Sequence, residues 1–450
     1  MVARHPWSTH PGCNRGLIED RLQRHAPSSR GDRRLELQLH VKGDLLVCRA
    51  DPPSYMAVGP ALAPSEMDTR RRKGGRLRKM SIRIPTELLP EDGRFGSGPS
   101  KVRQTAVERL AVVAPTLLGT SHRQSRVIDQ VRRVREGLRE FFCLPPDYEI
   151  VLGNGGATLF FDATAYCLVA RRSAHAVFGE FSAKFASSVQ AAPFLDDPVV
   201  MRSEAGTHPT LAACEGVDIY ALTHCETSTG VATPITRPAG AVDALVVVDA
   251  TSAAGGIMFD VAETDAYFFS PQKGFGSEGG LFVALMSPMA IQRMAVIRET
   301  GRHIPRMLDL GIALESSMKN QTSNTPSITT LFLMAEQLEW LNEQGGLAWA
   351  AKDCAAKSAI LYDWAEARTW AAPFVANPAM RSPVVCTIDL DSAISASEVS
   401  AALRANGILD TEAFRTLGRN QLRLATFPAV ATSDVERLTA CIDYVVDAFA

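Results

Sequence analysis

At 450 residues the chain is long enough for two or three domains around a large core. With 46% hydrophobic and 21% charged residues it has a globular balance, and its net charge of −2 excludes a bulk electrostatic pull towards nucleic acid or membrane. The nine cysteines form no CxxC pair and no Cys/His cluster at ligand spacing, which argues against structural zinc and for a reducing compartment.

Residues 1–79 stand apart, with 16 Lys+Arg against 8 Asp+Glu, whereas the remainder is net −10. They hold the Pro-rich "DPPSYMAVGPALAPSEM" and the basic "TRRRKGGRLRK", with little apolar periodicity. A disordered extension is expected, or a start at Met67 or Met80; no aromatic is interleaved with the arginines, which disfavours a nucleic-acid-binding tail. The N-terminus lacks a secretory apolar segment, and no apolar run nears the roughly 18 residues that span a bilayer. The expected location is the cytoplasm.

Residues 80–333 alternate short apolar runs with helical stretches, and are expected to form a large α/β domain. "EIVLGNGGA" reads as a strand and glycine turn, and "TLFFDATAYCLV" as the following helix. "VDIYALTHCETSTG", "DALVVVDATSAAGG" and "DAYFFSPQ" are further strands that end in polar turns. Their near-continuous apolar character fits parallel strands covered on both faces, so βαβ units and a mainly parallel sheet are predicted. Ligands in such sheets bind at the carboxyl ends of strands, where every polar cluster just named falls.

Residues 334–450 are predicted to form a smaller α+β domain. It starts with one alanine-rich helical run, "MAEQLEWLNEQGGLAWAAKDCAAKSAILYDWAEA", and continues through "VVCTIDL", "SASEVSAALRANG", "NQLRLATF" and "SDVERLTACIDYVVDAF". Thr432, Ser433 and Asp434 supply the N-cap signals of the last helix.

In "FFSPQKGFGSEGG" one lysine, Lys273, stands at a strand end among glycines. By itself it also reads as a solvated lysine on a tight turn. A buried amine, however, can form a Schiff base with an aldehyde, and burial lowers its pKa so that it also serves as a base. Pyridoxal phosphate then needs an acid for its ring nitrogen, a phosphate cradle and a stacking partner. Asp249 ends the strand "VVVD", where a carboxylate is costly unless it meets a cation; alone it would pass as a helix cap. "GNGGAT" offers a glycine turn at a helix start, with the Thr158 hydroxyl as an added donor. It is neither a P-loop nor a full GxGxxG, so a nucleotide is not favoured. "GEFSAKFA" supplies two aromatics that could stack or serve the core, "HCETSTG" supplies Thr227, and "NQTSNTP" a polar turn at Asn324 and Thr325.

The order along successive strand ends (glycine turn, aromatic, Thr, Asp, Lys) resembles the fold-type-I pyridoxal-phosphate enzymes of the class V aminotransferase group. "DGRFGSGPSKVR", "LLGTSHRQS", "LGNGGAT", "GEFSAKFAS", "ETSTGV", "DATSAAGG", "PQKGFGSEGGL", "MKNQTSNTP" and "LGRNQLRLATFPAV" narrow it to the phosphoserine aminotransferase family in its actinobacterial form, from about residue 83 onward. The resemblance implies Lys273 as Schiff-base lysine and proton shuttle, Asp249 on the pyridinium nitrogen, Phe181 on the ring and Thr227 on the phenolic oxygen. It implies that Ala157, Thr158 and Gln272 hold the phosphate, with Asn324 and Thr325 donated by the second subunit of a homodimer. Arg123 is then expected on the substrate α-carboxylate, and Arg423, Arg419 and His122 on the substrate phosphate. Some members carry an arginine in the phosphate-loop motif where this chain has "GGAT", which leaves part of that grip to other residues.

The implied reaction is ping-pong transamination from L-glutamate to 3-phosphohydroxypyruvate, giving O-phospho-L-serine and 2-oxoglutarate in serine biosynthesis. A phosphorylated four-carbon analogue, in vitamin B6 synthesis, is a further substrate of related enzymes. Rival readings are another class V enzyme, such as serine–glyoxylate aminotransferase, and a non-catalytic protein that binds the cofactor. A cysteine desulfurase would need a mobile late cysteine, but Cys354 and Cys386 fall in predicted helix and strand.

Overall fold

The computed structural model describes residues 82–449; the basic extension, with its expected disorder and alternative starts, lies outside them. Two helices come first, α1 (Gln104–Leu117) and α2 (Ser125–Phe141). In α2 the buried residues Val127, Val131, Val134, Leu138 and Phe141 recur every three or four positions, the single apolar stripe of a helix packed on a core.

The chain then enters the α/β region: β1 (Glu149–Asn154), α3 (Ala157–Cys167), β2 (Ser173–Val177), α4 (Glu180–Gln190), β3 (Val199–Arg202) and β4 (Ile219–Thr223). A small hairpin of β5 (Cys225–Glu226) and β6 (Val231–Ala232) precedes β7 (Leu245–Asp249), β8 (Ala266–Phe269) and β9 (Leu281–Met286). Seven of these strands form one sheet in the order β1-β9-β8-β7-β4-β2-β3. Neighbours from β8 to β3 pair in parallel, and β9 alone runs antiparallel to both β1 and β8. This is the predicted mainly parallel sheet.

Alternate residues of its strands feed two separate apolar layers. Val246, Val248, Tyr267 and Phe269 pack with Leu138 and Leu338 on one face, while Val247 and Phe268 pack with Phe160, Phe161 and Phe185 on the other. A strand buried on both sides has no position for a polar residue until it ends, so the polar groups collect at the strand termini.

Helices α5 (Pro288–Glu299), α6 (Leu310–Ser317), α7 (Ile328–Gln344) and α8 (Gly346–Glu366) follow. The single helical run predicted from residue 334 is two helices, broken where Gly345 and Gly346 adopt φ of 119° and 66°. Such angles suit glycine and end a helix. The domain boundary expected between residues 333 and 334 falls inside α7, whose Leu338 belongs to the core of the large sheet.

The C-terminal part contains β10 (Ala371–Pro373), β11 (Val385–Leu390), α9 (Ala396–Ala405), β12 (Gln421–Ala425) and α10 (Thr432–Asp447). Its three strands form an antiparallel sheet with its own apolar cluster, which also takes in Ile84 and Phe95 from the opposite end of the described chain. The predicted cap of the last helix is different: Ala431 is the N-cap and makes no side-chain cap bond. Asp434 instead accepts from the backbone N–H of Glu91 at 2.9 Å and pairs with Lys101 at 3.5 Å. Its carboxylate anchors a distant segment, which sequence spacing along the helix does not reveal.

Candidate active site

The carboxyl ends of β1, β4, β7 and β8 and the start of α3 surround a cavity of about 380 Å³. Ala157, Thr158, Phe181, Thr227, Asp249, Gln272 and Lys273 all line it. Seven expected residues, drawn from five separate segments, therefore meet in one place.

Lys273 stands in the turn after β8 and is only 9% exposed. Burial, helped by the nearby Arg423 charge, brings its amine down to about 8. Its Nζ donates to the carbonyl of Ser97, and the Ser100 hydroxyl donates to the Lys273 carbonyl at 2.5 Å. Residues 97–100 thus lie over the lysine as a strap. A Cβ at Gly98 would stand 2.2 Å from Nζ, so only glycine fits there.

Asp249 ends β7, and burial pushes its carboxyl up to about 6. Both hydrogen bonds that hold it, from the Thr251 N–H at 3.0 Å and hydroxyl at 2.6 Å, fall on Oδ1. Among the described residues no ion pair joins Asp249 to Lys273, although both face the cavity. A cationic ring N–H brought to Oδ2 would restore the ionised state, as the pyridinium of pyridoxal phosphate requires.

At the opposite end, Ala157 opens α3 and its N–H donates to the Ser270 hydroxyl at 2.7 Å. The start of an eleven-residue helix presents positive backbone dipoles, and the buried Gln272 Oε1 beside it has no partner. Gly155 N–H bonds the Gly280 carbonyl at 3.0 Å, which ties this turn to the loop that carries Lys273. Thr227 pairs through its hydroxyl with Ser252. Phe181, at the second position of α4, lines the cavity, whereas Phe185 is core and stacks on Phe161 at 4.7 Å. An acid, a positive cradle and an aromatic face are all present around the lysine, so the residues fit the cofactor.

Arg423 reaches this region from β12. Its Nη1 donates to the Thr227 carbonyl at 3.4 Å, its Nε is buried without a partner, and its guanidinium lies 5.2 Å over the Phe414 ring. Arg419 does not reach the cavity. Asp389 holds it through Nε at 3.1 Å to each oxygen, and the guanidinium rests 4.4 Å over Phe374, so the substrate-phosphate role expected of it is not supported within this chain. His122, Asn324 and Thr325 gather elsewhere: His122 Nδ1 pairs with the Thr325 hydroxyl at 3.1 Å, and Asn154 donates to the Thr325 carbonyl at 2.9 Å. Arg123 is exposed. None of these four lines the cavity of its own chain.

Sequence reasoning missed Ser270, Ser252, Thr251, Glu226 and the Ser97–Ser100 strap. Ser97, whose hydroxyl is buried without a partner, could have been sought in the motif "FGSGPS"; the others are common residues with no local signature. Cys354 and Cys386 are both fully buried, and burial pushes each thiol up to about 12, which argues against either as the mobile cysteine of a desulfurase.

Comparisons with known proteins identify the family and the fold. The Aminotransferase class-V family model matches residues 97–411. A phosphoserine aminotransferase of Nocardioides sp. is 54% identical over 369 residues, covering 82% of this chain and 99% of its own. A relative from Mycolicibacterium vanbaalenii is 54% identical over 367 residues, with the same coverage of each chain. The crystal structure of a phosphoserine aminotransferase from Cytophaga hutchinsonii superposes with a TM-score of 0.72 at 22% identity, over 78% of this chain and 99% of that one. A pyridoxal-phosphate-bound phosphoserine aminotransferase from Trichomonas vaginalis gives 0.66 at 18% identity, over 78% and 100%, and supports the same fold. With its fold, its lysine–aspartate pair and a matching segment of this length, the chain belongs to the class V aminotransferases.

Proposed function

We propose that the chain transfers the amino group of L-glutamate to 3-phosphohydroxypyruvate, giving O-phospho-L-serine and 2-oxoglutarate, with pyridoxal 5′-phosphate in the cavity. The observation that carries this reading is the pair of buried, mutually unpaired groups, Lys273 and Asp249, facing one cavity beside a helix start. When bound, the cofactor acts as an electron sink that acidifies the substrate Cα–H and carries the amino group between the two half-reactions.

The chain's own residues do the rest. Lys273, depressed to about 8, is partly neutral near neutral pH and can take a proton from Cα and return it. Asp249 would hold the ring N–H through Oδ2, Thr227 would donate to the ring oxygen, and Phe181 would cover the ring face. The first turn of α3 with Thr158 and Gln272 would hold the phosphate. Arg423 has a buried, unfilled guanidinium edge, the kind of group that grips a carboxylate or phosphate through two parallel bonds. Arg123 with His122, and Asn324 with Thr325, stand outside their own cavity, which favours a homodimer in which they serve a second copy. The proposed location is the cytoplasm; among the described residues no helix is long and apolar enough to cross a membrane.

The test is a spectrum of the cofactor-loaded protein on adding O-phospho-L-serine without a keto acid. Loss of the visible cofactor band is expected. Loss with other amino acids but not with phosphoserine would keep the aminotransferase and discard the substrate. A chain that gains no visible band with added cofactor would overturn the reading. Strong competition by inorganic phosphate separates a phosphorylated substrate from the uncharged one of a serine–glyoxylate type enzyme.

A further inference from the structure

Glu226 is fully buried in the β5 strand, one residue before Thr227, and among the described residues it has no ion-pair partner. Every group that meets its carboxylate is a donor. Oε2 accepts from the Ser182 N–H and hydroxyl, each at 2.9 Å. Oε1 accepts from the Ser228 hydroxyl at 2.7 Å and from the N–H groups of Phe181 and Ser228 at 3.3 Å. The two hydroxyls pass the bonding outward: Ser182 Oγ accepts from the Gly179 N–H at 3.0 Å, and Ser228 Oγ from the Glu180 N–H at 3.1 Å.

A helix start leaves its first amides without intrahelical partners. In α4 those of Gly179, Glu180, Phe181 and Ser182 all end on this one carboxylate or on the hydroxyls it orders. The packing leaves no slack, since a Cβ at Gly179 would lie 2.3 Å from Glu226 Cγ. The helix start carries Phe181 and the hairpin carries Thr227, the two residues assigned above to the cofactor's ring face and ring oxygen.

We infer that Glu226 is a positioning residue that locks the α4 start to the β5–β6 hairpin, so that Phe181 and Thr227 meet the cofactor ring in one fixed register. This rests on the cofactor assignment made under Proposed function. The carboxylate touches neither the cavity nor the reacting atoms, and acts only through its neighbours. Its charge is also felt at Asp249, where it adds to the effect of burial. A glutamine cannot replace it: whichever way the amide turns, its NH₂ faces at least one backbone N–H that cannot rotate away.

The experiment compares wild type, Glu226→Gln and Ser228→Ala, with pyridoxal 5′-phosphate as the probe. It reads the cofactor dissociation constant, the visible circular dichroism per bound cofactor, and the melting temperature of the cofactor-free protein. Glu226→Gln is expected to weaken binding about tenfold or more and to reduce the induced visible signal at saturation, as loss of a charge-assisted bond predicts. Ser228→Ala, which breaks one relay, should weaken it about two- to fivefold with a smaller change in the signal. A Glu226→Gln protein with wild-type affinity and signal overturns the inference, and so does a lowered melting temperature with an unchanged signal at saturation. Should Glu226→Gln not fold, Ser228→Ala decides, and wild-type behaviour there overturns it. A wild-type chain that takes up no cofactor overturns instead the assignment beneath it.

Discussion

Two lysines among the described residues are buried, and they are buried differently. Lys357, on α8, is 0% exposed; it pairs with Asp353 at 2.5 Å and donates to the carbonyls of Phe427 and Val430 at 3.0 and 2.9 Å. Two carbonyls accept its N–H bonds and a carboxylate balances its charge. Lys273, in the turn after β8, has one backbone carbonyl and no carboxylate within ion-pairing reach among the described residues. The first region satisfies its ammonium and gains a tie between α8 and the chain after β12. The second leaves its ammonium short of partners and gains a reactive amine. Burial alone therefore does not mark a catalytic lysine; the missing acceptors do.

The contrast is sharpest in Lys273→Ala. Activity should fall by about a thousandfold or more, because the proposed covalent anchor and proton carrier are lost together. The cofactor-free protein should nevertheless be more stable than wild type at pH 7. A lysine whose folded-state value, about 8, lies below the ordinary 10.5 penalises folding below pH 8, by up to about 3 kcal/mol. That penalty fades as the pH rises from 8 towards 10.5, so melting curves of variant and wild type should converge over that window. A destabilised Lys273→Ala protein at pH 7 would break the comparison.

Asp249→Asn comes next, with an expected loss of about a hundredfold in turnover once its charge is gone from the ring nitrogen. Its folded-state value, about 6, lies above the ordinary 3.8, so the cofactor-free protein loses stability as pH rises from about 4 to about 6, and the loss is complete above that. The variant should melt higher than cofactor-free wild type above pH 6 and alike below 4, as calorimetry across that range would record.

For Lys357→Met the effect should reverse. Two carbonyls and a carboxylate lose their partner, so denaturant titration should show a loss of about 2–4 kcal/mol, with turnover per folded molecule unchanged. A smaller version of the same contrast separates two arginines. Arg423→Gln should raise KM for the substrates about tenfold or more, because its buried edge is unfilled. Arg419→Gln, which breaks a pair whose arginine side chain is 44% exposed, should change KM by less than about twofold and stability by at most about 1 kcal/mol. Equal effects of the two would mean that Arg419 also reaches substrate.

Much of this was legible in the sequence because strands buried on both faces admit polar residues only at their ends. "VVVD" and "AYFF" announced their own termini, and with them Asp249 and Lys273. The glycine turn before α3 and Thr227 after β4 were visible for the same reason. What escaped is held by pairing across long separations. The Ser97–Lys273 contact spans 176 residues, and the bond from Ser182 to Glu226 spans 44. No local pattern encodes either. The cap signals at Thr432–Asp434 misled because Asp434 had a stronger use, anchoring residues 91 and 92. Arg419 is held by Asp389, on strand β11, a pairing that no local pattern encodes either.

The antiparallel strand β9 has a consequence for how the protein is made. It is hydrogen-bonded to β8 on one side and to β1, made more than a hundred residues earlier, on the other. A chain still growing on the ribosome can complete every parallel strand of the sheet and yet lack the wall that joins the glycine turn to the lysine loop. That wall closes only when residues 281–286 insert between two strands already made, a long-range step of the kind that folds slowly. Until then the Gly155–Gly280 bond, which ties the glycine turn to the loop that carries Lys273, has no paired strands on either side to fix it.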